Sequence, residues 1–167
     1  MTHIKLAASR AFLLVAYFTQ TQEMLFDAHA RGFAVFGRVP KRGIYDHMKT
    51  AVDKIGRSKQ RSINARFEAM KGHYLLDPEF CYRAAGWEKG IIEKNVQDRS
   101  RGVVREITER RWSTLAELND WLQRSCQDAW QQLAHPEWPA LSIADVWQDE
   151  ASRLMPCAFC APFLRKT

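Results

Sequence analysis

The chain has 167 residues, of which 46% are apolar and 26% charged, with a net charge of +6; this is the composition of a globular domain with a sizeable core, not of a disordered or fibrous chain. No apolar run approaches the roughly 18 residues of a membrane span, and the first residues lack the layout of a signal peptide, so a cytoplasmic protein is expected. In that compartment Cys81, Cys126, Cys157 and Cys160 are expected to be reduced thiols.

In chain order, His3 to Leu6 alternates apolar and polar residues, and Ala8-Ser9-Arg10 has the character of a tight hairpin connection. Ala11 to Phe18 then reads as a mostly buried strand. Thr21 and Gln22 lead into a helix from about Glu23 to Phe36, with Met24, Leu25, Ala28, Phe33 and Phe36 as its apolar stripe and Gly37 as its stop. Pro40 bars helix, and Gly43 to Asp46 is a brief strand. The spacing predicts a short helix from Met48 to Lys54, a basic turn-rich loop from Gly56 to Ser62, and a helix from Asn64 to His73. Tyr74 to Leu76 reads as a short strand ended by Asp77-Pro78, and Glu88 to about Glu109 as a long polar helix. Thr114 with Glu117 forms a capping box for a helix from Leu115 to Leu133, closed by Pro136 and Pro139. One further helix spans Leu141 to Arg153. Strands first, then helices alternating with single short strands, predict an α/β or α+β layering around one sheet.

The charge is unevenly placed. Residues 38–66 carry nine Lys or Arg against Asp46 and Asp53, and residues 94–111 carry six against three acids. The rest of the chain is net acidic, so the basic charge is gathered where a polyanion such as a phosphate backbone would lie; two solvated faces are the plainer alternative. Between these runs sit the two carboxylates of interest. Asp46 ends the short apolar strand, and Glu93 follows Gly86-Trp87-Glu88-Lys89-Gly90 at the start of the polar helix. Two-metal phosphoryl transfer requires hard oxygen ligands around cations roughly 3.5–4 Å apart, and ligands of open sheets gather at strand carboxyl ends. Asp46 is equally suited to capping a following helix, and Glu93 to a solvated helix face. Glu88 precedes Gly90 and suits the positive end of the helix.

Taken together, these residues resemble the catalytic core of IstA-type insertion-sequence transposases, within the DDE integrase and transposase superfamily. The resemblance is carried by Thr21-Gln22-Glu23-Met24, Phe26-Asp27-Ala28-His29, Arg42 to Val52 around Tyr45-Asp46, Arg66-Phe67, His73-Tyr74 and Asp77-Pro78. It continues through Gly86-Trp87-Glu88-Lys89-Gly90-Ile91-Ile92-Glu93 and Ala116-Glu117-Leu118-Asn119, and so covers nearly the whole chain. It implies an α/β, ribonuclease-H-like integrase catalytic core, incomplete at its first strand, over residues 1–110, followed by a helical extension and Pro-rich tail over 111–167. By the resemblance Asp46 and Glu93 are catalytic carboxylates and ligands of Mg²⁺ or Mn²⁺, in metal-assisted attack of water or a DNA 3′-hydroxyl on a phosphodiester. Lys49, Lys89, Lys94 and Arg99 become contacts to backbone phosphates, which position DNA without reading its sequence.

The family's first catalytic aspartate has no counterpart here, since the only acids ahead of Asp46 are Glu23 and Asp27. An amino- and carboxyl-terminally truncated transposase is therefore expected, inactive alone, with sheet edges left open for pairing. The alternative is a non-catalytic DNA-binding or transposase-assembly fragment that inhibits a full-length enzyme. The resemblance also implies insertion-sequence ends and target DNA as partners, a homo-oligomer or full-length transposase, and a partner ATPase, with no membrane role.

The remaining motifs point elsewhere. Cys157-Ala158-Phe159-Cys160 has zinc-ligand spacing but half the ligands a zinc site needs, so incidental tail cysteines are expected. The five histidines show no metal-ligand spacing, which leaves solvent contact or core hydrogen bonding. Trp112, Trp121, Trp130, Trp138 and Trp147 recur about every nine residues, which defines no single helix face and suggests carboxyl-terminal packing or a partner surface. Trp87 is expected to pack under its loop rather than stack on a base.

Overall fold

The computed structural model describes residues 1–45, 52–55, 61–63, 65–80, 103 and 105–157; for 52–55, 61–63 and residue 80 it describes the backbone alone. Strands β1 (Thr2–Lys5) and β2 (Phe12–Val15) form an antiparallel hairpin, with Thr2 opposite Val15 and Lys5 opposite Phe12. Arg10, at φ 66°, turns the chain between them. All four residues of β2 are buried, the continuous apolar run expected of a strand covered on both faces.

Helix α1 (Gln22–Phe36) starts where the Thr21 hydroxyl accepts the Met24 amide and ends at Gly37, whose φ of 63° only glycine adopts without strain. Two-residue β3 (Arg38–Val39) leads to β4 (Arg42–Tyr45). Strands β5 (Val52–Ile55) and β6 (Arg61–Ile63) form a second antiparallel hairpin. Sequence reading places helix over 48–54 and loop over 56–62; the β-branched Val52, Ile55 and Ile63 favour strand, and antiparallel pairing supplies the ladder bonds a short helix cannot. Helix α2 (Ala65–Tyr74) follows.

The strand expected at Tyr74 to Leu76 lies further on, as β7 (Asp77–Phe80). Tyr74 still belongs to α2, and Leu75 turns at φ 54° while the Leu76 amide donates to Lys71 O at 3.0 Å. Pro78 is tolerated within β7, which among the described residues pairs on one side, with β4. Residues 105–109 are helical, in keeping with the end of the long polar helix. Helices α3 (Leu115–Gln132) and α4 (Ile143–Arg153) and strand β8 (Met155–Pro156), paired with β3, complete the order. Thr114 caps α3, but Glu117 reaches back to the Ser113 amide at 2.9 Å, one residue before the cap. Ser142 and Asp145 make the reciprocal capping box on α4.

The fold is mixed α/β. Its described strands pair two by two, as β1–β2, β3–β8, β4–β7 and β5–β6, where one continuous sheet is expected. Among the described residues, two apolar clusters form the core. The first joins Leu6, Phe12 to Val15 and Phe36 to Leu122, Cys126, Trp130, Ile143 and Ala144. The second joins Leu25, Phe26 and Phe33 to Val39, Tyr45, Phe67, Met70, Tyr74 and Leu76. Helix α1 contributes to both. Of the tryptophans, Trp130 is buried beside Phe36 and Trp147, which bears out carboxyl-terminal packing, while Trp138 is half-exposed and stacks on His135. Cys126 is a buried free thiol; Cys157 is disulfide-bonded, not reduced as expected.

Side chains meet the outer edge of β2 at Phe12 and, just past its end, at Ala16. The Leu6 amide donates to Ala11 O at 2.8 Å, so antiparallel alternation turns the backbone groups of Phe12 and Ala16 away from β1. Trp130 Nε1 donates to Phe12 O at 2.9 Å. Asn119 Oδ1 accepts the Ala16 amide at 2.7 Å, and its Nδ2 donates to Ala16 O at 3.1 Å. At these two positions α3 takes the place of a neighbouring strand. Beyond it, the hairpin turn is held by buried Glu150, which accepts the Ala8 and Ser9 amides at 3.3 and 2.8 Å. His135 Nδ1 accepts the Glu137 amide, so its Nε2–H donates to Ala8 O at 2.9 Å.

Replacing Asn119 by Ala leaves an amide and a carbonyl of Ala16 without these partners. At about 1–3 kcal/mol per unsatisfied buried group, Asn119→Ala is expected to lower stability by roughly 2–4 kcal/mol in urea unfolding. A change below about 0.5 kcal/mol would show that the edge is satisfied without it.

Candidate functional site

Strands β4 and β7 run parallel, with Arg42 opposite Asp77, Gly43 opposite Pro78, Ile44 opposite Glu79 and Tyr45 opposite Phe80. The Asp77 amide donates to Lys41 O at 2.8 Å, and Arg42 pairs with Glu79 across the strands. Their carboxyl ends are therefore side by side. From Tyr45 the chain continues directly to Asp46; from Phe80 it continues into the segment that carries Lys89, Glu93, Lys94 and Arg99. Two segments far apart in sequence leave one sheet at one end, where ligands of parallel sheets bind. Asp46, Lys49, Lys89, Glu93, Lys94 and Arg99 themselves, like Trp87 and Cys160, lie outside the described residues.

Tyr45 anchors the end of β4. It is 6% exposed, and its hydroxyl lies 2.8 Å from Nε2 of buried His29. His29 Nδ1 lies 2.7 Å from Leu25 O, a pure acceptor, so Nδ1 carries the proton and the Tyr45 hydroxyl donates to Nε2. The pair is neutral. Burial pushes the His29 imidazole below its ordinary range, against the smaller upward pull of Leu25 O, and burial pushes the Tyr45 phenol up. The Tyr45 ring meets Phe67 edge-on, with centroids 5.3 Å apart. Beneath it is Gly43, where a Cβ would lie 2.9 Å from the Tyr45 hydroxyl oxygen and 3.1 Å from Leu76 Cδ2. Sequence reading includes Tyr45 and His29 in its motifs without assigning them this role; their separation of 16 residues carries no local signal.

The two acids ahead of Asp46 are both engaged. Glu23 pairs with Arg66 at 2.5 Å, and its carboxyl is held low by a backbone hydrogen bond first and the Arg66 hydrogen bond second. Asp27 accepts from the Tyr17 hydroxyl and from Arg31 Nε, each at 2.7 Å. Burial, then the bond to Asp27, raises the Tyr17 phenol. Arg10, Arg31, Arg42, Arg66 and Lys71 each have an acidic partner. Among the described residues no three His, Cys, Asp or Glu side chains gather as a metal site, and no helix is long and apolar enough to cross a membrane.

Two outcomes follow from this anchor. Gly43→Ala forces the Tyr45 ring and Leu76 apart and is expected to cost about 1–3 kcal/mol, read as a lower urea midpoint. His29 has a folded pKa below its unfolded value of 6.5, so the unfolded chain binds the extra proton. Its contribution is present above pH 6.5 and falls as pH drops below that value toward the folded pKa. Urea midpoints between pH 7.5 and 5 are expected to fall more steeply for the wild type than for His29→Gln; parallel profiles would place the titration elsewhere.

No protein-family model matches the chain. Individual proteins do. It is 50% identical over 169 aligned residues to a transposase for insertion sequences IS1326/IS1353 from Pseudomonas aeruginosa, covering 100% of this chain and 32% of that protein. It is 49% identical over 158 residues to a transposase from Aminobacter aminovorans, covering 95% of this chain and 30% of that one. A putative transposase for insertion sequence element IS5376 from Geobacillus stearothermophilus is 30% identical over 95 residues, 55% of this chain and 23% of that protein. The chain thus spans about a third of the length of its more similar relatives.

Proposed function

The chain belongs to the insertion-sequence transposases, and from that premise we propose that it is a catalytic-core segment of ribonuclease-H-like type acting in DNA transposition. The observation that carries the reading is the parallel β4–β7 pair, which releases the Asp46 and Glu93 segments from one sheet end. Carboxylate oxygens are the donors that Mg²⁺ and Mn²⁺ prefer, so Asp46 and Glu93 fit as ligands. The metal would supply activation of the attacking oxygen and stabilisation of the leaving one.

The chain's own residues have separable tasks in this reading. Asp46 and Glu93 would hold the cation. Lys49, Lys89, Lys94 and Arg99 take backbone phosphates of insertion-sequence ends and target, fixing register. Of the described arginines, Arg42 and Arg66 are matched by Glu79 and Glu23. Glu23 and Asp27, the acids ahead of Asp46, each make an ion pair of their own, and we expect little or no strand transfer by this chain alone in its cytoplasmic setting. A homo-oligomer, a full-length transposase or a partner ATPase would complete the reaction. Residues 1–110 carry the catalytic elements, and 111–167 serve as a helical extension that shares their core.

Calorimetric titration of Mn²⁺ into the purified chain tests the assignment. Binding that weakens at least about tenfold in both Asp46→Asn and Glu93→Gln, the loss of about 1.4 kcal/mol of ligand interaction in each, is the expected result. Binding unchanged in both would overturn the ligand set. A folded chain with no specific binding, but DNA affinity falling steeply with salt, would favour a non-catalytic DNA-binding or assembly role. Four phosphate contacts correspond to a log–log salt slope of roughly −3.6, and each Lys→Ala among the four is expected to reduce it by about one.

A further inference from the structure

We propose that the β5–β6 hairpin is a DNA-contacting ribbon, with Lys54 and Arg61 meeting backbone phosphates of a duplex; the inference rests on the reading of the chain as part of a DNA-transposing core. Charge supplies the first argument. Residues 54–61 include Lys54, Arg57, Lys59 and Arg61 and no acid. Strand pairing sharpens that local excess. The register sets Ile55 opposite Arg61 and Lys54 opposite Ser62, and paired strands lie about 4.8 Å apart, so the two ends of the run come together on one ribbon. Like charge gathered on one small element repels itself, and a polyanion relieves the repulsion. Arg57 and Lys59 fall in the connection between the strands, outside the described residues, and the assignment is confined to Lys54 and Arg61.

Shape supplies the second. The hairpin is a sheet of its own: among the described residues neither strand pairs with any other. A two-stranded ribbon is one of the two elements that the major groove of B-DNA admits. Residues opposite one another share a face and neighbours alternate, so positions 54 and 62 stand on one face and positions 55 and 61 on the other. A ribbon with a cation on each face meets both phosphate rails of the groove it stands in, where a one-sided patch meets a single rail. Place is the third. Strand β4 ends at Tyr45, and β6 ends at Ile63, four residues before Phe67, which packs on the Tyr45 ring. Four residues span at most about 14 Å. The base of the hairpin therefore stays close to the carboxyl end of β4, the end where ligands of parallel sheets bind.

Fluorescence anisotropy of a labelled DNA duplex, with the full metal-free chain at several salt concentrations, tests the assignment. With two contacts added to the four proposed above, the log–log salt slope is expected near about −5.4 rather than about −3.6. Lys54→Gln and Arg61→Gln are each expected to flatten it by about one, and together by about two. Arg153→Gln removes the same charge from α4, where the arginine pairs with Asp149, and is expected to leave the slope unchanged. Slopes unchanged in both hairpin variants, or flattened as much by Arg153→Gln, would overturn the proposal. A slope that then still flattens in Lys89→Ala would leave the wider DNA reading standing, whereas no duplex binding by the wild type removes both. Ile55→Pro combined with Ser62→Pro removes an inward ladder amide whichever residue pair is the bonded one, and keeps every charge. A several-fold loss of affinity is expected; wild-type affinity would show a basic segment that needs no ribbon and overturn the assignment. Should that variant fail to fold, the two charge variants decide.

Discussion

A fully buried strand cannot leave its outer backbone groups without partners, and the architecture follows from how β2 meets that constraint. Ladder bonds to β1 satisfy one edge. On the other, Asn119 acts as a surrogate strand for Ala16 and Trp130 takes the carbonyl of Phe12. Each bond is modest by itself, but the alternative is an unsatisfied group costing about 1–3 kcal/mol. The solution places α3 along β2, and α4 then supplies Glu150 to the hairpin turn. Residues more than a hundred positions apart are thereby joined into one core.

That core fixes α1, and α1 fixes the candidate site. Phe36 at its end packs in the first apolar cluster, while Leu25, Phe26 and Phe33 pack in the second. His29, on the face turned toward β4, converts this placement into a directed hydrogen bond to Tyr45. The parallel β4–β7 pair then sets two chain exits at one sheet end. The proposed reading as a transposase core makes sense of such an arrangement. Carboxylates distant in sequence must converge, and a rigid sheet end on a packed helix is a better platform for them than a loop.

Much of this was legible along the chain because it is local. The caps at Thr21 and Thr114, the stop at Gly37 and the apolar stripe of α1 are recorded in residue type and spacing. The hairpin at Ala8 to Arg10 is equally local, and so is the motif around Tyr45 and Asp46; for the chain as a whole, the relatives bear out the transposase resemblance. The errors fall where two segments must meet. Residues 52–54 read as helix because their partner at 61–63 is invisible to a local pattern. The strand read at Tyr74 to Leu76 belongs three residues later, because pairing with β4 rather than apolar content selects Asp77 to Phe80.

The sequence by itself determined the family, the alternation of helix and strand, the uneven basic charge and the two carboxylates of interest. All are properties of residues close together or of composition. Only the tertiary structure decided that Asn119 and Trp130 close the edge of β2, that Glu23 and Asp27 are already committed to ion pairs, and that His29 reaches Tyr45. Hydrogen bonds of this kind depend on the relative placement of packed elements, a quantity that no local period encodes.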